Sequence, residues 1–427
     1  MEEKKCYLCI DMKTFYASVE CAERGLNPFE TNLVVADLTR GKNALCLAIT
    51  PKLKALGIKN RCRISEIPSN VKYEVAPPRM SLYIEYAADI YSIFLGYFSS
   101  QDIHVYSIDE SFIDITDYLK LYKMSEGSMA RMLIDEILVQ KGIPSTVGIG
   151  TNLYLAKIAL DITAKHSKSH IGYLTEDIYK EKLWKHRPIT DFWQIAKGTA
   201  ARLSKYGIYD MEGIASAPQE LLYKEFGINA ELLIDHAYGR ESCLIEDIKN
   251  YKSKSKSVSF SQILPRDYTY DEAQIVLSEM LFNGTRELMK RHVITNKLDI
   301  IIGYSKELIP ATGGSIKMTV TTQIPSLMQP YLLRLYEKTT AKDVPIRRIG
   351  LSFSNIVDEG CEGYDLFTNI DSVERERKRE QVALQVSSKY GKNALLRGLN
   401  YLECSTQRER NTFIGGHRAG DDKTGKS

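Results

Sequence analysis

The chain opens with the apolar run Cys6-Tyr-Leu-Cys-Ile10, which ends on Asp11 and reads as a strand with a carboxylate at its C-terminal end. Phe15 to Arg24 follows a helical pattern closed by Gly25 and Asn27-Pro28. Leu33 to Ala36, apolar and β-branched, predicts a second strand. Two short strands, Ile103–Ser107 and Phe112–Ile115, flank the tight turn Ile108-Asp-Glu-Ser111. Thr146–Ile149 is a further strand broken by Gly150, and Thr151 or Asn152 caps a helix running to about Lys165. Strands and helices alternate without a regular βαβ order, so the pattern predicts an α+β fold.

From about 169 to 240 the pattern is helical and strand-poor, punctuated by Gly198, Gly207 and Gly227. The alternating Lys/Ser stretch from Tyr251 to Ser257 reads as a junction. Beyond it, Tyr270–Arg291 is helical, with strands at Leu298–Tyr304, Ser315–Thr321 and Arg348–Phe353, a second α+β module. A Glu/Arg-rich helix (373–380) and a Gly-rich end without a packing pattern follow.

The composition, 44% hydrophobic and 26% charged over 427 residues, excludes wholesale disorder. No apolar run approaches the ~20 residues needed to span a bilayer, so no membrane association is expected. The N-terminal apolar stretch is too short for a secretory signal, and eight scattered cysteines point to reduced thiols in the cytoplasm. Cys6 and Cys9 form a lone CxxC inside a strand, which argues against zinc. Charge is uneven: residues 247–350 hold 16 Lys/Arg against 10 Asp/Glu, whereas the first 246 hold 29 against 32. An acidic front and a basic module suggest a cation site followed by a grip on a polyanion.

The cation site is expected at Asp11, Asp109 and Glu110. Adjacent carboxylates between strongly β-forming flanks are costly unless a cation meets them. At ~4 Å and an effective dielectric near 20, each unit pair repels by about 4 kcal/mol. With no His or Cys clustered there, all-oxygen ligation favours Mg²⁺ or Mn²⁺. Two such ions bridged by carboxylates form the clamp of in-line phosphoryl transfer. Lys157, on the capped helix, could reach a triphosphate, with Lys52 and Lys54 as further candidates.

Asp11-Met-Lys-Thr-Phe-Tyr-Ala-Ser-Val-Glu20, Tyr106-Ser-Ile-Asp-Glu-Ser-Phe112 and Leu155-Ala-Lys-Ile-Ala-Leu-Asp161 together resemble the Y-family translesion DNA polymerases. Ser261-Gln-Ile-Leu-Pro265 points to their UmuC-like, Gram-positive branch, linked to UV-damage repair. The resemblance runs from residue 5 to about 355. It implies a right hand: palm (1–22 and 76–168), small fingers (23–75), helical thumb (169–240), a separate α+β little finger (245–352) and a charged tail (353–427). It also implies a low-fidelity polymerase that takes primer-template DNA and deoxynucleoside triphosphates. Asp11, Asp109 and Glu110 would serve two Mg²⁺ ions, completed by the Met12 backbone carbonyl. Lys157 and Lys54 would grip the triphosphate, and Tyr16, with Phe15 beside it, would be the steric gate against ribonucleotides. Lys13, Thr14 and Pro51 depart from residues common in the family, and Ala196 replaces the first glycine of a helix-hairpin-helix-like stretch, Phe192–Ile208.

In the basic module, Lys252, Lys254, Lys256, Arg266, Arg347 and Arg348, with Lys290 and Arg291, suit sequence-neutral contact with the DNA backbone. Tyr364-Asp-Leu-Phe367 resembles the short motif that docks such polymerases on a sliding clamp, with Gly363 where Gln is preferred. An accessory subunit is a further possible partner. Two rivals remain: a nucleotide cyclase built on a palm-like sheet, which would not need residues 169–352, and a silent DNA-bound scaffold, which would not need to keep the carboxylate cluster.

Overall fold

The computed structural model describes residues 5–41, 43–252 and 257–420. Lys254 and Lys256 lie outside the described residues. Two compact units emerge, one of residues up to Tyr251 together with the segment from His417, the other of Lys252–Gly416.

In the first unit the strands are β1 (Tyr7–Met12), β2 (Leu33–Val35), β3 (Ala48–Ile49), β4 (Glu74–Ala76), β5 (Ile103–Val105), β6 (Glu110–Asp114), β7 (Ser145–Gly150) and β8 (Ile171–Leu174). The main sheet has the order β5-β6-β1-β7-β8. β1 is central and antiparallel to both β6 and β7, while β8 lies parallel to β7. Its almost unbroken apolar run fits a strand buried on both faces.

The helix Leu153–Ile158 lies directly on β7, and two glycines make that possible. A Cβ on Gly148 would stand 2.1 Å from the Ala156 carbonyl oxygen, and one on Gly150 2.1 Å from the Ala156 nitrogen. Asn152 caps this helix by accepting from the Leu155 N–H. It continues into a π turn, Ala159–Thr163, where the sequence predicted an unbroken α-helix.

β2, β3 and β4 form a separate small sheet around a core of Val34, Cys46, Ile49, Leu53, Cys62 and Ile67. The stretch expected to be helical from about 169 to 240 opens on strand β8 and turns helical only from Glu176, around Tyr154, Tyr179, Phe192, Leu203 and Leu222. Among them, Lys197–Ser204 and Met211–Ser216 are two short helices joined through Gly207 at φ +74°.

The second unit holds a five-stranded antiparallel sheet: β9 (Ser257–Tyr268), β10 (Val293–Tyr304), β11 (Thr312–Thr322) and β12 (Ile346–Ser354), ordered β11-β10-β12-β9, with the short β13 (Val357–Asp358) paired to the start of β10. Helices Tyr270–Lys290 and Pro325–Thr339 bury one face of it through Leu277, Leu281, Ile300, Leu332, Leu351 and Phe353. Helix Ile370–Tyr390 and the described residues after it, up to Gly420, pack on the second unit or the first, unlike the patternless end that the sequence suggested. Helix Ile370–Tyr390 docks Glu380 on Arg286 at 3.3 Å. The buried Glu279 carboxylate accepts from Asn400 Nδ2 at 2.6 Å, from the Thr406 N–H at 3.0 Å and from the Ser405 hydroxyl. These polar contacts stand beside a small apolar cluster of Val373 and Leu384 with Met289 and Ile324.

Candidate active site

Register brings the three carboxylates together. Asp11 pairs with Glu110 across β1 and β6, and the Met12 N–H donates to the Asp109 carbonyl at 2.9 Å. Asp11 and Asp109 are half-buried and Glu110 is buried. Burial pushes the Asp11 carboxyl up to about 6; Lys165 and Lys157 pull it down, and Asp109 and Glu110 push it further up. The Asp109 carboxylate accepts from the Ser107 hydroxyl at 2.7 Å.

Glu110 turns inward. Its oxygens accept from Lys157 Nζ at 2.7 and 2.8 Å, and from the Cys9 thiol at 3.1 Å. Lys157 is itself buried and also meets Asp161 at 3.1 Å. Burial opposes its charge, but Cys9, Glu110 and Asp161 outweigh that and hold its pKa above the usual lysine value. Lys157 is therefore buried and paired with Glu110 and Asp161.

The cation nearest Asp11 is one the sequence reading missed. Lys165 Nζ is 3.5 Å from Asp11 and 2.8 Å from Asp161, with 39% of its side chain exposed. It lies one element beyond the π turn, a geometry commonly found at functional sites and not legible as helical spacing. Lys54, exposed on the short helix Pro51–Ala55, and Lys13 both feel the Asp11 charge, and Lys13 meets His170 Nδ1 at 3.0 Å. Lys52 instead donates to the Glu30 carbonyl.

Tyr16 and Phe15 begin the helix Phe15–Glu23 that leaves β1 through a left-handed Thr14 (φ 47°). Phe15 is buried, and Tyr16 is half-buried and stacked on Tyr83 at 4.6 Å. Burial and the nearby Asp109 raise the Tyr16 phenol, and Arg61 works against them, so the ring lies within electrostatic range of both. Beneath the stack the buried Glu20 accepts from Tyr83 Oη at 2.8 Å, from Arg79 at 2.7 and 2.9 Å, and from Arg24. On the other flank, Trp193 Nε1 donates to Tyr106 Oη at 3.1 Å, and the Tyr106 ring lies 5.8 Å from Lys157 Nζ. Glu20 and Trp193 fall within stretches quoted from the sequence, but neither was given a role there.

The donor set is hard oxygen: Asp11, Asp109 and the Met12 carbonyl, with Glu110 alongside. Among the described residues no three Asp, Glu, His or Cys side chains stand ready as a closed metal cage. Glu110 is held by Lys157, and Lys165 supplies positive charge at Asp11. The chemistry fits Mg²⁺ or Mn²⁺, which retain water and need few protein ligands.

In the second unit, one sheet face carries no helix. Arg348, Ile301, Ile263 and Lys317 are exposed, and Ser259, Ser261 and Gly350 share that face by register. Arg347 is half-buried, 3.8 Å from Asp267, and Arg266 is clasped by Glu272 at 2.6 and 3.0 Å. Lys252 is exposed beside the junction. At the start of the C-terminal segment, Tyr364 packs against a cluster that contains Met289, Ile324 and Val373. Leu366 and Phe367 are 100% and 95% exposed.

Residues 10–161 match the impB/mucB/samB family, and residues 255–366 match that family's C-terminal domain. The chain is 33% identical over 422 residues to the "Putative UV-damage repair protein UvrX" of Bacillus subtilis (strain 168), covering 97% of this chain and 98% of that protein. It is 28% identical to "DNA polymerase IV 2" of the same organism, covering 98% and 99%. A solved Y-family DNA polymerase chimera of Dbh and Dpo4 shares the fold, with a TM-score of 0.64 and 23% identity over 83% of this chain and all of the chimera. No helix among the described residues is long and apolar enough to cross a membrane.

Proposed function

We propose that this chain, which belongs to the impB/mucB/samB family and is a DNA-directed DNA polymerase, works as a Y-family enzyme that copies damaged templates with low fidelity by two-metal nucleotidyl transfer. The observation that carries the mechanism is the register of β1 against β6, which gathers Asp11, Asp109 and Glu110 at one sheet end beside Tyr16 and a ring of lysines.

Asp11 and Asp109, with the Met12 carbonyl, would hold the two divalent ions, Mg²⁺ by preference. When bound, such ions lower the pKa of an attacking hydroxyl and neutralise developing phosphate charge. Lys165 and Lys54 face the side on which the triphosphate would lie and stabilise the leaving pyrophosphate. Lys157 holds Glu110 in place, a positioning role. The Tyr16 ring, backed by Tyr83, would close the space that a ribose 2′-hydroxyl needs. Primer-template DNA would lie along the open sheet face of the second unit, gripped through its phosphates by Arg348, Lys317 and Lys252, with Arg347 beside them. Arg266 is occupied by Glu272 and contributes less. Tyr364 anchors a segment that presents Leu366 and Phe367 outward, a form suited to docking on a sliding clamp.

Single-nucleotide insertion with each of the four deoxynucleotides tests the fidelity. Ready insertion of mispairs opposite undamaged bases is expected, and strict selection of the complementary nucleotide would overturn the reading.

A further inference from the structure

Cys46 and Cys62 face one another in the small subdomain that carries Lys54. The Cys46 N–H donates to the Cys62 carbonyl at 2.8 Å, and the adjoining Leu45 and Arg63 form an antiparallel bridge. The two cysteines are therefore opposed in one register. An opposed, hydrogen-bonded antiparallel pair has its Cα atoms roughly 5.5 Å apart, inside the ~4.4–6.8 Å range that a disulfide spans. Both thiols are free, and they lie together in the core shared with Val34, Ile49 and Leu53. The polymerase reaction uses neither.

We propose that Cys46 and Cys62 form a peroxide-sensitive dithiol that closes reversibly to a disulfide. Cys62 is 6% exposed and Cys46 fully buried, so a small oxidant meets Cys62 first. The Cys62 thiolate attacks one oxygen of hydrogen peroxide and becomes a sulfenic acid, and the hydroxide released takes up the thiol proton as water. The Cys46 sulfur then attacks the Cys62 sulfur, forming the S–S bond and expelling a second water. Two thiols and one peroxide thus give one disulfide and two waters, and a dithiol reductant reverses it.

The bond closes a loop from 46 to 62 that contains the helix Pro51–Ala55 with Lys52 and Lys54. If Lys54 contacts the triphosphate, a consequence that rests on the function proposed above, oxidation alters nucleotide binding.

The test treats the reduced full chain with hydrogen peroxide and maps disulfides in a non-reducing digest. The expected dominant product is a linked Cys46–Cys62 peptide, lost on adding dithiothreitol. In Cys46→Ser, a sulfenic acid trappable by dimedone should accumulate on Cys62. Failure of the linked peptide to form in wild type, while the exposed Cys361 is oxidised, would overturn the proposal. Deoxynucleotide KM is then compared before and after oxidation. A severalfold change that is reversed by dithiothreitol and absent in Cys46→Ser supports both readings. A linked peptide with unchanged KM supports the dithiol and removes Lys54 from the nucleotide site.

Discussion

The Tyr16 ring is stacked on Tyr83, with centroids 4.6 Å apart and planes inclined by 22°. Tyr83 is fixed in turn by its hydroxyl on the buried Glu20. A gate that excludes a 2′-hydroxyl must resist displacement, and this stack supplies the backing. Tyr16→Ala should admit ribonucleotides strongly, and Tyr83→Ala should admit them to an intermediate extent with the Tyr16 ring still present. Ribonucleotide insertion relative to deoxynucleotide insertion measures both; wild-type discrimination in Tyr16→Ala would remove the gate assignment.

Lys157 and Lys165 should separate by effect. Lys157→Ala leaves the Glu110 carboxylate buried without its partner, a loss of about 3–5 kcal/mol in stability, read by urea unfolding. Lys165 is more exposed, so Lys165→Ala should leave stability nearly unchanged and raise the deoxynucleotide KM. The reverse pattern would exchange the two roles.

Glu20 predicts a pH dependence. Burial raises its carboxyl, but hydrogen bonds from Arg79, Arg24 and Tyr83 outweigh that and hold it below the usual range. A carboxyl depressed in the folded state contributes fully above its unfolded value of about 4.3 and loses that contribution as pH falls through the folded value. Glu20→Gln should therefore cost roughly 1.5–3 kcal/mol at pH 7, with the deficit shrinking below about pH 4. A deficit that does not change with pH would mean that packing, not charge, holds this cluster.

On the second unit, Arg348→Ala and Lys317→Ala should each weaken DNA binding uniformly across sequences and reduce the salt slope by about 1. Arg266→Ala should change it less, because Glu272 already occupies that guanidinium. Affinity measured by fluorescence anisotropy over a salt series distinguishes them, and an equal loss for all three would place Arg266 on the DNA.

Much of the site was legible because its chemistry is local. Asp11 ends an apolar strand and Asp109-Glu110 sit in a hairpin turn, so strand pattern and turn chemistry expose them before any pairing is known. Which of them faces the open mouth depends on register and on burial. Glu110 turns inward to Lys157 and Cys9, a contact made across the sheet by residues far apart in sequence. Lys165 escaped because the π turn breaks the 3.6-residue spacing that links Lys157 to it. The five-stranded sheet of the second unit was expected with three strands. β9 was missed because it starts where the polar Lys/Ser junction ends and carries a proline, Pro265, within it. The packed C-terminal segment combines a small apolar cluster around Val373 with two buried carboxylates, Glu279 and Glu380, and the carboxylates are what no hydropathy pattern announces.

The most direct test is primer extension past an abasic site with Mg²⁺, comparing wild type with Asp109→Ala at matched DNA occupancy. The account predicts extension past the lesion by wild type and none by Asp109→Ala, with DNA binding intact in both. Wild type that copies undamaged template yet stops at the abasic site, or Asp109→Ala that extends as well as wild type, would contradict it.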